Sequence, residues 1–346
     1  MKTILTILSF LLINAVFSQS VFVVQNDVSP SAHQTLDSAL FYAADGDYIY
    51  LPGGTFNVGS VRISKNLNII GAGHYPDSTQ ATGRTALTGN IYFKTGADGS
   101  TLQGLYLNGD IYMGDSCATG NVQNIHISRC NVNNIYLTST STGIANCGAQ
   151  NIFIKDCVIR TSLRGAYVQG VVVETSILNY IAYFDGNAEF KNNIFLKQGT
   201  GSSLSLCVMY DVSNCVFNNN IFKNSSSTNY FASSSVNNTF NNNIFNMSSC
   251  YGGSCFNCLY NIDFYSQFVN VPVNSFDYTY NFLLSDTSVA IGAGLSGTDC
   301  GIYGGDNPYK EAAVPVNPHI QLKQIPSATD SQGKLNIQVK VRAQDN

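Results

Sequence analysis

The stretches Glu189–Phe195 (EFKNNIF), Val216–Phe222 (VFNNNIF) and Thr239–Phe245 (TFNNNIF) state one heptapeptide three times. Looser copies precede them: TLQGLYL at Thr101–Leu107, IHISRCNV at Ile125–Val132, IFIKDCVI at Ile152–Ile159 and VVVETSIL at Val171–Leu178. Aligned, they give one apolar file: Leu102, Ile127, Ile154, Val173, Phe190, Phe217 and Phe240. Repeats of about this period signal a solenoid, in which each unit buries its apolar face only against its neighbours. Inside a unit the apolar period is two, with Ile125 and Ile127 alternating with His126 and Ser128, so the units are strands rather than helices. A short strand, a bend and a second short strand per repeat describe a parallel β-helix, whose coils pair at about 4.8 Å and stack equivalent residues in files.

The file three places after the lead reads Leu105, Cys130, Cys157, Ser176, Asn193, Asn220 and Asn243. Asn accepts the left-handed backbone of a tight bend, and stacked side-chain amides donate and accept along a pile of coils. The repeated NNN therefore reads as a turn ladder. Cys130 and Cys157 share the file, either as a disulfide or as stacked thiols.

The bulk composition agrees with an all-β solenoid. In 346 residues only 11% are charged, the formal net charge is -4 and Trp is absent, which removes the basic footprint of a nucleic-acid binder. The opening MKTILTILSFLLINAVFSQ has one Lys and an apolar run from Ile4 to Val16. It reads as a secretory signal peptide over residues 1–18, too short to serve as a membrane span. Residues 19–305 are assigned to the β-helix and 306–346 to a C-terminal tail, in a monomer that does not insert in a membrane after signal removal. Export, to the periplasm or cell surface or beyond, permits disulfides among the ten Cys. Cys250, Cys255, Cys258 and Cys300 are the set to weigh for zinc, but they lack paired C-x-x-C spacing, and no metal is assigned.

The ends fit this plan. AHQTLDSALFYAA (Ala32–Ala44) places Leu36, Leu40 and Ala43 at helical spacing and would cap the open edge of the first coil. AADGDYIYLPGGTFN (Ala43–Asn57), KNLNIIGAGH (Lys65–His74) and the coils that follow resemble the pectate-lyase-like right-handed parallel β-helix superfamily. The resemblance covers roughly Ala32 to Gly305. SVAIGAGLSGTDCGIYGG (Ser288–Gly305) is similar to the closing coils of secreted bacterial members. The fold it implies hosts lyases, hydrolases, epimerases and adhesins, so it does not select an activity.

No reaction can be read from the residues. His74 lies in AGHYP rather than in the Gly-His-Gly of pectin hydrolases, and no convincing pair of carboxyls faces a sugar bond. Arg160 and Arg164 are the one close Arg pair, without an Asp-rich ligand set for Ca2+ beside them, so no cofactor is assigned. Two outward files remain. Lys155, Glu174, Glu189 and Lys191, with His126 nearby, gather charge on neighbouring coils, as a cross-strand series or a substrate groove. The triplets NIYF, DIYM, NIYL, GAYV and IAYF place Tyr92, Tyr112, Tyr136, Tyr167 and Tyr183 alike, either as self-stacking strand formers or as a platform for sugar rings. Three functions stand: binding of a neutral or weakly charged polysaccharide along the tyrosine file; a polysaccharide lyase using Lys155, Glu174 and Lys191 with Arg160 or Arg164; and a structural or adhesive surface solenoid.

Overall fold

The computed structural model describes residues 21–114, 121–138, 148–197, 208–223, 232–310, 314–315 and 319–342. The signal segment, Cys117, Cys147 and Cys207 lie outside them. Two twelve-stranded sheets run the length of the molecule, parallel apart from the first pairings of Phe22–Gln25. The first sheet carries the lead file in unbroken register, from Ile49 through Ile69 and Leu102 to Phe240 and Cys255. The second starts at Gly54–Ile63 and continues through Thr85–Phe93, Tyr106–Met113, Asn131–Tyr136 and Val158–Arg164. Beyond these the rungs divide into Ile177–Leu178 and Ile181–Asp185 and their successors. The chain is a parallel β-helix, with the helix Leu36–Tyr42 turning Leu36, Ala39 and Leu40 into its first coil.

Why the heptapeptide repeats is visible in its atoms. Both Phe positions build interior ladders: Phe190, Phe217 and Phe240 stack at 4.9 and 4.8 Å, and Phe195, Phe222 and Phe245 at 4.5 and 5.0 Å. The three central positions divide the polar work. The first faces outward, where Asn241 Nδ2 donates to Asn218 Oδ1 (2.9 Å) and Asn218 Nδ2 to Glu189 Oε1 (2.9 Å). The second takes the left-handed backbone, at φ 54°, 57° and 56° for Asn192, Asn219 and Asn242. The third is buried and forms the ladder: Asn220 Nδ2 donates to Phe190 O and Asn243 Oδ1, while its Oδ1 accepts from Asn193 N and Nδ2. The sequence reading gave bend and ladder to one file; the structure separates them into adjacent ones. A residue on the left-handed bend points its side chain out of the coil, so it cannot also donate inside.

Upstream the ladder runs on thiols. Cys130 and Cys157 are free and buried, and each donates to the carbonyls of Ser128 and Lys155 respectively (3.2 Å each). Cys250 and Cys255 form a disulfide. Cys258 and Cys300 grip one peptide from opposite sides, Cys258 Sγ accepting from Asn243 N (3.4 Å) and Cys300 Sγ donating to Asn242 O (3.1 Å).

Ser288–Gly305 does not close the coil as its sequence suggests. After Leu259 the chain leaves the stack and returns along the outside, against the left-handed bends. Leu295 N donates to Asn219 Oδ1 (2.9 Å), Gly301 N to Asn219 O (2.8 Å), and Asn192 Nδ2 to the carbonyls of Asp299 and Gly301 (3.2 Å each). Asn242 Nδ2 reaches Ala293 O and Arg129 Nη1 reaches Val314 O. Gly301, whose N–H meets Asn219 O, has φ 83°, a left-handed conformation that glycine adopts without strain.

Beneath this segment Asp156 is wholly buried, accepting from Thr175 Oγ1 (2.7 Å), with Arg129 Nε 3.7 Å away. Burial outweighs these partners and pushes its carboxyl up from 3.8 to about 6.

Two outcomes are expected. Asn220→Ala strips four hydrogen bonds from buried groups and should lower stability by about 4 kcal/mol, against about 1 kcal/mol for the outward Asn218→Ala. Urea unfolding of both variants measures this, and equal losses would mean that the inner ladder is not what joins the coils. The folded chain holds the Asp156 proton more tightly than the unfolded chain does. Its stabilising contribution is therefore full below about pH 4 and is lost as pH rises through about 6. His74, buried and pushed down to about 3, acts in the opposite sense over that window, so the comparison must be with Asp156→Asn. Between pH 4 and 7 the wild type should lose about 2 kcal/mol relative to that variant; a flat difference would show an ordinary carboxyl.

Candidate functional site

Three regions concentrate chemistry. The first lies where the outer face of the first sheet meets its bends. Lys155, Glu174 and Lys191 are paired neighbours on successive strands. The Glu174 carboxylate, nearly buried, takes Lys155 Nζ at 3.6 Å and Lys191 Nζ at 2.7 Å. The sequence reading grouped these residues, and the structure joins them as one bridge across three coils. It missed what lies beside them: Arg129, Asp156 and Thr175 occupy left-handed bend positions (φ 52°, 53° and 46°) that later coils give to Asn. A β-branched or long side chain there is strained, and a charge in the slot of an Asn file was the available signal. Between this cluster and the returning segment opens a cleft of about 340 Å3, lined by Glu174, Lys191, Asn192, Thr298 and Asp306 among others. Among the described residues no aromatic ring lines it. Glu189 turns instead to Asn218, and His126 packs edge-on against Phe153.

Arg160 and Arg164 are not part of that cluster. Both stand on the second sheet, so the combination of Lys155 with either arginine does not form. Their side chains extend two rows on this sheet's outer face. In one, Arg62, Tyr92, Tyr112, Tyr136 and Arg164 are successive register partners. Tyr92 and Tyr112 stack at 4.9 Å and Tyr112 and Tyr136 at 4.8 Å, nearly parallel. The end faces are covered too, Tyr92 by Arg62 and Lys94 (5.8 and 5.3 Å) and Tyr136 by Arg164 (5.4 Å). Every ring face is thus occupied, with Tyr92 and Tyr112 half-buried and Tyr136 buried, so the row is no open platform for sugar rings.

Tyr167 and Tyr183 fall outside this row. Both have left-handed backbone (φ 59° and 62°), which turns them out of the strand's alternation. Ala182, not Tyr183, continues the register from Arg164. Tyr183 meets the row sideways, under the Arg164 guanidinium at 6.0 Å and edge-on to Tyr210. Tyr167 is exposed and has no place in the stack.

The second row was not foreseen. Tyr106 lies between Arg84 and Arg160, whose guanidinium carbons sit 4.6 and 4.5 Å from the ring centre. Arg160 is held by Asn131 Oδ1 (2.5 Å) and Leu107 O (2.9 Å), and Asn131 Nδ2 donates to Tyr278 Oη (2.9 Å). Tyr278 contacts His74 Nδ1 at 3.2 Å. Burial first, then the positive charges of Arg84 and Arg160, keep His74 neutral, while burial lifts Tyr278 to about 12. The Asp110 carboxylate in this face is consumed locally. Its Oδ1 accepts from Asn133 Nδ2, Asn134 N and Asn134 Nδ2 (3.0, 3.2 and 2.8 Å), and its Oδ2 from Tyr112 Oη (3.3 Å). Burial and then Asp110 raise the Tyr112 hydroxyl to about 12.

The third region is a cleft of about 330 Å3 between the loop carrying Tyr75 and Asp77 and the returning segment. Its tyrosines come from distant parts of the chain, and no repeat announced them.

Among the described residues no group of His, Cys, Asp and Glu is placed to hold a metal, and no helix is long and apolar enough to cross a membrane. No curated protein and no solved structure matches the chain. The family described as "Rhamnogalacturonase A/epimerase, pectate lyase-like" matches residues 22–254, the span from the first strand to the last full rungs of the coil. The chain therefore belongs to the rhamnogalacturonase A/epimerase, pectate lyase-like family, a carbohydrate-active one.

Proposed function

We propose that this is an exported protein that binds an acidic polysaccharide along the outer face of its second sheet. One observation carries the reading: the cations of this face are laid over tyrosine rings, Arg62 on Tyr92 and Arg84 on Tyr106 among them. Arg62, Arg84, Lys94, Arg160 and Arg164 all lie over rings. The ion pairs between described residues, Arg129–Asp156 and the Lys155–Glu174–Lys191 bridge, belong to the first sheet and its bends. A guanidinium over a ring keeps its charge, and at Arg62 and Arg84 a uronate carboxylate fits the guanidinium fork, whereas Arg160 already donates to Asn131 Oδ1 and Leu107 O and Arg164 to Ser162 Oγ. The neutral or weakly charged ligand expected from sequence gives way to an acidic one because of these arginines.

The lyase reading loses its geometry, since its lysines share one carboxylate on the first sheet while its arginines occupy the second. The solenoid without a ligand remains the outcome if no glycan binds.

Affinity electrophoresis of the full chain in gels containing polygalacturonate should show retardation that falls with added salt. Arg62→Ala combined with Arg164→Ala should weaken binding about tenfold or more, while Tyr112→Phe, which keeps the stack, should have a smaller effect. Equal mobility of wild type and double variant, or stronger retention by an uncharged glucan, would defeat the proposal.

A further inference from the structure

We infer a second carbohydrate site, for one neutral sugar ring, in the aromatic cleft between the 74–79 loop and the returning segment. The cleft has the size of a small ligand pocket, about 330 Å3, and its walls include Tyr75, Tyr280, Tyr303 and Tyr309. Tyr309 is buried and shares a hydroxyl contact of 3.1 Å with Tyr75, which ties the two walls together. Tyr303 and Tyr309 stand edge to face with centres 5.9 Å apart, and the partly exposed rings of Tyr75, Tyr280 and Tyr303 are the ones a ligand would meet. This differs from the tyrosine row of the second sheet, where neighbours occupy the faces.

The polar groups of the cleft are few and available. The Asp77 carboxylate and the Tyr280 hydroxyl have no partner among the described residues, although the Tyr280 ring itself packs against the apolar cluster on the outside of the coil. Asn281 uses only its oxygen, accepting from Leu283 N (2.9 Å), which leaves its amide N–H groups for a ligand. An acceptor, a donor and a hydroxyl that does both, set among aromatic rings, match a sugar, whose ring has apolar C–H faces and a rim of hydroxyls. A wholly apolar ligand would make no use of the exposed Asp77 carboxylate, the Tyr280 hydroxyl or the Asn281 amide. A uronate would meet it with like charge. The ring that fits is uncharged.

The cleft of similar volume beside Glu174 lacks these features: it has no aromatic wall among the described residues, and the buried carboxylate there is already held by two lysines.

Saturation-transfer NMR on the full chain with rhamnose, galactose, glucose and galacturonate as separate probes tests the site. At least one of the three neutral sugars should bind, and more tightly than galacturonate. Tyr280→Ala and Asp77→Asn should each weaken that binding about tenfold, with thermal unfolding confirming that both variants remain folded. Arg62→Ala with Arg164→Ala, directed at the other face, should leave it unchanged. The inference is overturned if no neutral sugar binds, if either cleft substitution leaves binding intact, if the arginine variant abolishes it, or if galacturonate binds as tightly.

Discussion

Everything in this molecule depends on one bend, repeated on successive coils, in which a left-handed residue is followed by a side chain that hydrogen-bonds inside the stack. The left-handed residue reverses the chain in the least possible length. The buried amide after it then joins its own coil to both neighbours, since Asn220 meets groups of Phe190, Asn193 and Asn243. A buried amide with all its bonds made is cheap to keep and costly to misplace. A slip by one residue would turn that amide out of the coil and an unpartnered side chain in. The ladder therefore fixes register, and register lets a row of like side chains exist on the surface.

The rule is kept strictly where the sequence is most repetitive and broken where charge collects. In the coils of Arg129, Asp156 and Thr175 the left-handed positions carry residues that pay in backbone strain what Asn would not, and the inner file changes to Cys130, Cys157 and Ser176. The thiols still reach backbone carbonyls, Cys157 Sγ touching Ile127 O at 3.6 Å and Lys155 O at 3.2 Å, but they are weaker partners than an amide. The returning segment lies instead across the Asn bends, bonded to Asn192, Asn219 and Asn242. The same outward-pointing position thus serves as a docking row for the rest of the chain in one half and as an ion-pair cluster in the other.

What the sequence discloses follows from what repeats. Lead residues, phenylalanine ladders and the capping helix were legible because period and polarity are local properties. The tyrosine triplets were legible only in part. Tyr92, Tyr112 and Tyr136 share a phase with their strands, whereas Tyr167 follows Gly165 past a strand end and Tyr183 sits on a left-handed residue. A three-residue pattern does not encode phase. The return of Ser288–Gly305 along the outside was illegible because it pairs with bends through backbone and amide groups, leaving no alternation to read. The aromatic cleft was hidden for a further reason: its walls meet only because that segment returns past the loop of Tyr75.

The two carbohydrate sites inferred on this side of the molecule have opposite chemistry and a shared border. Ile177 lines both the aromatic cleft and a small hollow of about 70 Å3 that also includes Arg160 and Asn179. Arg160 carries one of the charges laid on Tyr106, and Asp77 supplies the carboxylate of the cleft. A uniformly acidic chain satisfies the first and is repelled at the second; a uniformly neutral chain leaves the arginines unanswered. A single ligand that engages both must carry its charge on some units and not on others, and the closeness of Ile177 to each requires those units to be near neighbours. Rigid rows built on stacked coils are suited to such a distinction, because the spacing of unlike groups along the surface is held by the same buried amides that hold the fold.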